Sequence, residues 1–353
     1  MKVVSLSYQR SGPGMQSYLL AKALNAFNGW EAVDISVADC YIKQPYTYGL
    51  WDLAEDQPKE VEEWITSADV FVIHNFDPHF EDIGPRGDRW RPTYPVVIPG
   101  YKELRIPLRR DNCVIKLHGT DCRVYGGFIH GYEYRHGHLF VGSPDPQLWS
   151  NAKCVSWIPP MMDKTEMDKA VQEYDLREDP DLKDPNDIQL HKEHGAIVVN
   201  HCATQRKTKG TSVLTDAIAL LRERGVQAYA DIVQGTTWAE SLWHQSVCDV
   251  YFDQLGYYGC YGVSAIQALL LGKPVICELS PLVKSWLSGK SEYNPFMTFN
   301  EAVDAESIAL QIQEGHKGEG GYPIHRKTFA EHVHGLGTVG EQWRWLLEGV
   351  CRK

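Results

Sequence analysis

No stretch of this 353-residue chain approaches the roughly 20 consecutive apolar residues that a membrane-spanning helix requires. None of its nine cysteines forms a Cys-x-x-Cys pair, and their number is odd, which excludes a fully paired disulfide framework and the usual zinc-ribbon spacing. Free cysteines within apolar runs pack as small apolar residues, and a reducing cytoplasm is the expected compartment. Basic charge is not in excess either. Lysine and arginine total 35 against 46 acidic residues, a net charge of −11 that by itself argues against a nucleic-acid partner. There is no internal repeat and no low-complexity tract. The opening MKVVSLSYQR reads as a first strand with no leader-type cleavage site.

A chain this long exceeds what one ordinary core holds, so two domains are expected. The first half alternates strand and helix. Lys2–Tyr8 is an apolar strand, Ser11-Gly12-Pro13-Gly14 a turn, and Met15–Phe27 a helix with one apolar face. Asp69–Asn75 and Cys113–Gly119 are further strands. Such runs, apolar on both faces, are what a parallel sheet demands. The rhythm resumes with a strand at Ala196–His201, a helix at Thr211–Arg224, a strand at Ala228–Val233 and a helix at Trp238–Val247. Between the halves, residues 163–194 carry eleven acidic and five basic side chains, a local net of −6, and read as a charged connector. The expected division is 1–162, a connector 163–194, a second domain 195–335, and a terminal helix within 336–353. The fold class is α/β, with two facing Rossmann-like domains and a cleft between them.

The most informative segment is DVYFDQLGYYGCYGVSAIQALLLGKPVIC, from Asp249 to Cys277. It reads as strand, glycine-rich loop, helix, turn and strand. A loop that feeds a helix N-terminus is a ready anion site, because unpaired N–H groups and the helix dipole both face it. A second such junction is Asn200–Thr211, NHCATQRKTKGT. There Arg206, Lys207 and Lys209 precede a helix, which suits a diphosphate, although a solvated basic turn has the same local pattern. The third signal is His118-Gly119-Thr120-Asp121 at a strand's carboxyl end, where open α/β sheets bind ligands. His74 ends another strand of that half.

Taken together and in order, these segments resemble the GT-B glycosyltransferases, in particular glycosyltransferase family 4. The resemblance rests on the N-terminal glycine loop, His118-Gly119, Arg206 with Lys209-Gly210, and Gly262 through Ile276, which ends in Gly272-Lys273-Pro274-Val275-Ile276. The turn is similar to a subgroup that opens His-x-Ala and closes Lys-Gly-Thr. The resemblance implies transfer of a sugar, with retention, from a nucleotide-diphosphate sugar (UDP- or GDP-linked) to a hydroxyl acceptor, with no bound cofactor and no metal. By residue it implies Arg206 and Lys209 as diphosphate ligands, and His118 and Asp121 as the catalytic pair near the transferred sugar. Gly259, Tyr261, Gly262, Val263 and Gln267 would line the donor, and Gly12 and Gly14 the cleft loop.

The chain departs from the family at two positions. The family's paired glutamates fall on Gly259 and Gln267 here. Glutamine still bonds ribose hydroxyls, through one neutral acceptor oxygen. This leaves a non-catalytic sugar-nucleotide-binding protein, or an epimerase or phosphorylase on the same fold, as alternatives. The histidines at 130, 136, 138, 191 and 194, and Asp179 with Asp181, lie in polar or charged stretches and read as solvated. One segment lacks a family counterpart. Residues 86–110 hold seven basic and two acidic side chains, with Trp90, Tyr94 and Tyr101 interleaved. Arginine beside aromatics suits a phosphate-bearing acceptor: nucleic acid with a hydroxylated base, or a lipid phosphate or phosphosugar. His74, Arg105, Arg109 and Arg110 are the acceptor residues on this reading. A solvated loop is the alternative.

Overall fold

The computed structural model describes residues 1–7, 15–37, 46–74, 93–107, 112–117, 139–142, 156–175, 185–203, 206–255, 260–289, 299–316 and 323–351. The chain divides into two compact units, Met1–Met161 with Leu336–Lys353, and Met162–Gly335.

The first unit is a parallel sheet of β1 (Lys2–Ser7), β2 (Glu31–Ser36), β3 (Tyr48–Gly49), β4 (Val70–His74), β7 (Cys113–Leu117), β8 (Leu139–Gly142) and β9 (Ser156–Trp157). Their order is β3-β2-β1-β4-β7-β8-β9. The apolar runs form central strands because both faces are covered. Val4, Leu6, Ile35, Phe71, Ile73 and Ile115 pack on one side, against Val61 and Ile65 of helix α2 (Gln57–Ser67). On the other side lies α1 (Gln16–Leu24), which buries Leu19, Leu20, Ala23 and Leu24. The start of α1 follows Met15, whose φ of 46° is left-handed, a strained geometry for a residue with a side chain. Strands β5 (Thr93–Ile98) and β6 (Lys102–Pro107) form an antiparallel hairpin, with Val96, Ile98 and Ile106 turned into the core.

The second unit is a five-stranded parallel sheet, in the order β11-β10-β12-β13-β14. Its strands are β10 (Ile197–Cys202), β11 (Ala228–Val233), β12 (Val250–Phe252), β13 (Val275–Cys277) and β14 (Phe299–Glu301). The residues expected to form a connector are α3 (Lys164–Asp175) and α4 (Pro185–Glu193), both within this unit. Met167, Ala170 and Tyr174 give α3 a buried stripe despite its charge. Tyr174 packs against Trp243 of α6 (Trp238–Val247), and the Trp243 indole N–H donates to Asp175 at 3.1 Å. Helix α5 (Thr211–Glu223) seats Leu214, Ala217, Ile218 and Leu221 on the sheet, with α9 (Ala305–His316) beside it. Helices α7 (Val263–Leu270), α8 (Pro281–Gly289) and α10 (Pro323–His334) complete the unit.

The terminal helix α11 (Leu336–Cys351) belongs to the first unit. Its Gly340 lies so close to α1 that a Cβ there would come within 2.8 Å of Ala23 Cβ. Arg344 of α11 stacks over the Phe27 ring at 5.3 Å.

Candidate functional site

In the second sheet, β10 lies between β11 and β12, so chain connections leave it in opposite directions. Open α/β sheets bind ligands at such a reversal, beyond the carboxyl ends of the strands. The segments after β10 and β12 are the two junctions singled out from the sequence.

After β10, residues 206–210 turn into α5. Gly210 caps the helix at φ +76°, a conformation that favours glycine, and a Cβ there would meet Leu255 Cβ at 3.1 Å. The turn is held by His201, which sequence reasoning missed as a working residue. Its Nδ1 lies 2.9 Å from the Phe252 carbonyl and its Nε2 lies 2.8 Å from Thr211 Oγ1. A carbonyl only accepts, so Nδ1 carries the proton and the Thr211 hydroxyl donates to Nε2. Burial pulls the ring's pKa down to about 4, and Lys209 and Arg206 pull the same way. A neutral imidazole thus ties β12 to the first residue of α5. Arg206 is exposed, and its guanidinium makes no hydrogen bond or ion pair with a described residue.

After β12 comes Asp253, fully buried. Its Oδ2 accepts the Gly262 N–H at 2.6 Å, and its Oδ1 lies 3.9 Å from Lys209 Nζ. Among the described residues, none donates a hydrogen bond to Oδ1. Burial raises the Asp253 pKa, while Lys209 and the Gly262 N–H oppose that. The adjacent Gln254 donates from Nε2 to the Cys260 carbonyl. Two neighbouring side chains therefore hold the far end of the loop at the start of α7. Lys209, its side chain 17% exposed, stands where this loop meets the basic turn. Gly262, Val263 and Ser264 are partly open at the N-terminus of α7. Lys209 and the positive end of the α7 dipole converge at this corner, with the Asp253 carboxylate between them.

The other expected donor residues are differently placed. Tyr261 is buried and its hydroxyl bonds to His334 Nε2 at 3.1 Å, so it anchors α10 to the loop. Gln267 is buried at 5% exposure on α7. Gly259 lies outside the described residues, as do Gly12, Gly14, His118, Asp121, Arg109 and Arg110.

In the first unit, His74 is buried and its Nε2 is hydrogen-bonded to Ser5 Oγ at 3.0 Å, with Ser17 Oγ 3.0 Å beyond. Burial takes its pKa to about 3, aided by the neighbouring Lys116. This neutral ring organises the interior between β1, β4 and α1 and offers no surface to an acceptor. Lys116 itself is buried. Its Nζ donates to the Ile158 carbonyl at 2.6 Å and lies 5.7 Å over the Trp343 ring. Burial lowers its pKa to about 7. Arg105 is exposed on the hairpin and pairs with Glu103 at 3.0 Å. Lys102 pairs with Glu62, which also accepts from the Tyr101 hydroxyl at 2.7 Å. Part of the segment's basic charge is thereby matched.

Among the described residues, no group of three or more His, Cys, Asp or Glu side chains could hold a metal ion. No helix among them is long and apolar enough to cross a membrane.

Two doubly wound units spanning the chain are the GT-B architecture, the fold of a large class of glycosyltransferases. Among solved structures, the chain is similar to HepE from Anabaena in complex with UDP-glucose, at 15% identity and TM-score 0.57, covering 99% of this chain and 100% of that one. It is also similar to the trehalose-6-phosphate synthase OtsA, at 9% identity and TM-score 0.55, over 99% of each chain. A third is an α-glucosyltransferase in complex with UDP and a 13-mer DNA containing a central A:G mismatch, at 12% identity and TM-score 0.52, covering 99% of this chain and all of that one. At such identities the likeness is one of fold. No protein-family profile and no curated protein sequence matches the chain.

Proposed function

We propose that the protein is a glycosyltransferase that moves a sugar, with retention, from a nucleotide-diphosphate sugar to a hydroxyl acceptor. The observation that carries the proposal is the corner at the strand-order reversal, where Lys209 stands beside the start of α7 behind the buried Asp253. Together with Arg206, this corner supplies cationic side chains and the positive end of the α7 dipole where charge develops on a leaving diphosphate. Solved structures of the same fold hold UDP-glucose or UDP, which supports a uridine-linked donor. His118 orients the sugar or shares its proton, with Asp121 beside it in sequence. The acceptor carries phosphate, met by the basic stretch 86–110. A fold neighbour in complex with DNA supports nucleic acid as one such acceptor.

The test is a hydrolysis panel over UDP- and GDP-sugars, followed by an acceptor screen with the best donor. Turnover of one donor, accelerated by a phosphate-bearing acceptor, is expected. Failure of every nucleoside diphosphate to bind would refute the reading. Binding without hydrolysis or transfer would favour the non-catalytic alternative raised by Gln267 and Gly259.

A further inference from the structure

The Asp253 carboxylate does two jobs at once, and only one of them is structural. Oδ2 ties the end of β12 to the start of α7 by accepting the Gly262 N–H at 2.6 Å. Oδ1 accepts no hydrogen bond from any described residue, although the group is fully buried. Leaving a buried carboxylate oxygen unbonded is unfavourable, so a compensating interaction is expected. The charge near it is the Lys209 ammonium at 3.9 Å, too far to hydrogen-bond and at the outer edge of ion-pair range, where the attraction in this buried setting still acts. Lys209 is consequently steered without being consumed. It donates no hydrogen bond to any described residue, so its N–H groups stay available while its position is fixed by a charge that cannot move. The anchor is rigid because Asp253 directly follows β12, and His201 binds the end of that strand to α5.

We propose that Asp253 is a positioning residue for the diphosphate site: it holds Lys209 in the corner beside the α7 N-terminus, ready for a diphosphate, and acts on the ligand only through Lys209. The proposal rests on the donor-binding reading above. A flexible lysine loses rotamer freedom when it engages a phosphate, and a lysine already steered loses less.

The test is a double-mutant cycle read by calorimetry with UDP and GDP as probes, using whichever binds wild-type protein more tightly. Asp253→Asn keeps an acceptor for the Gly262 N–H and removes the charge. It should weaken binding about tenfold, in the range of one charge-assisted contact. In the Lys209→Ala background the same change should have almost no further effect, because the group through which it acts is gone. A merely structural role would give equal losses in both backgrounds, which would overturn the proposal. So would tighter binding by Asp253→Asn, which would mean that the carboxylate competes with the ligand for Lys209.

Gly262→Ala provides a second route that leaves the carboxylate in place. The added Cβ would sit 3.1 Å from Asp253 Oδ1 and displace it slightly. A smaller loss in the same direction, again absent in the Lys209→Ala background, is expected, and an equal loss in both backgrounds would count against the proposal even if Asp253→Asn does not fold. If neither nucleotide binds wild-type protein, the donor-binding reading falls and this inference with it. If one binds and Lys209→Ala weakens it while Asp253→Asn acts additively, the inference alone falls.

Discussion

Replacing Lys116 by methionine should stabilise the protein below neutral pH and lose that advantage as the solution turns alkaline. Lys116 is 3% exposed and has no carboxylate partner among the described residues. Its amine has one carbonyl, that of Ile158, and the face of Trp343. Burial lowers its pKa from 10.5 to about 7. At ~1.4 kcal/mol per pKa unit, keeping this charge inside costs about 5 kcal/mol at pH values below 7. Between pH 7 and 10.5 the unfolded chain holds this proton and the folded chain does not, so the penalty shrinks as pH rises through that window. Methionine fills similar space without charge, but it leaves the Ile158 carbonyl unpaired, which costs ~1–3 kcal/mol. The expected net gain is therefore about 2–4 kcal/mol at pH 6, vanishing or reversing near pH 10. Denaturant unfolding of wild type and variant at both pH values measures it, and the difference between the two proteins removes the contributions of other titrating groups. A variant less stable than wild type at pH 6, or a stability difference that does not change with pH, would refute the argument.

Four further outcomes are expected. Lys209→Ala should weaken nucleoside diphosphate binding by roughly tenfold to over a hundredfold in calorimetry, the range of a charge-assisted contact. His201→Leu should lower stability by about 2–4 kcal/mol in thermal unfolding, because it strips partners from the Phe252 carbonyl and the Thr211 hydroxyl. Gln267→Glu should bind nucleotide at least as tightly as wild type, and Gln267→Leu should bind it ~1–3 kcal/mol less tightly; equal affinity in all three would remove this position from the site. Changing Arg105, Arg109 and Arg110 together to alanine should flatten the salt dependence of phosphate-bearing acceptor binding measured from low to moderate salt, and full activity with an unchanged slope would leave the segment as a solvated surface.

Both junctions of the second sheet were legible because each is a local pattern. An apolar run, a glycine-bearing turn and an amphipathic helix follow in fewer than 30 residues; the structure places β10 and α5 within a residue of the expected bounds, and β12, α7 and β13 in the expected order between Asp249 and Cys277. The roles of His201 and Asp253 were not legible. Each depends on a partner from a strand or loop that only the sheet order brings near. Lys116 had a readable signal, a lone charge inside the apolar run CVIKL, which a strand covered on both faces must bury. The hairpin Thr93–Pro107 was hidden by its composition. Lys102, Arg105, Tyr94 and Tyr101 masked the alternation of Val96 and Ile98 that marks a half-buried strand. Acidic charge hid α3 in the same way, since Met167, Ala170 and Tyr174 form a stripe only three residues long.

The return of α11 to the first unit has a consequence for the order in which the protein can be made. Unit one needs Leu336–Cys351 to cover α1, with Gly340 against Ala23, and those residues leave the ribosome after all of unit two. All of unit two is synthesised while α1 still lacks its cover. Unit two is contiguous, and its two ends are already joined where the Met162 N–H donates to the His334 carbonyl at 2.7 Å. It can therefore finish first, reversing the usual N-terminal-first sequence of domain folding during synthesis. A nascent chain stopped at the end of unit two, before residue 336, carries an incomplete first unit with the α1 face open, so the segment that follows unit two is decisive for the fold that precedes it.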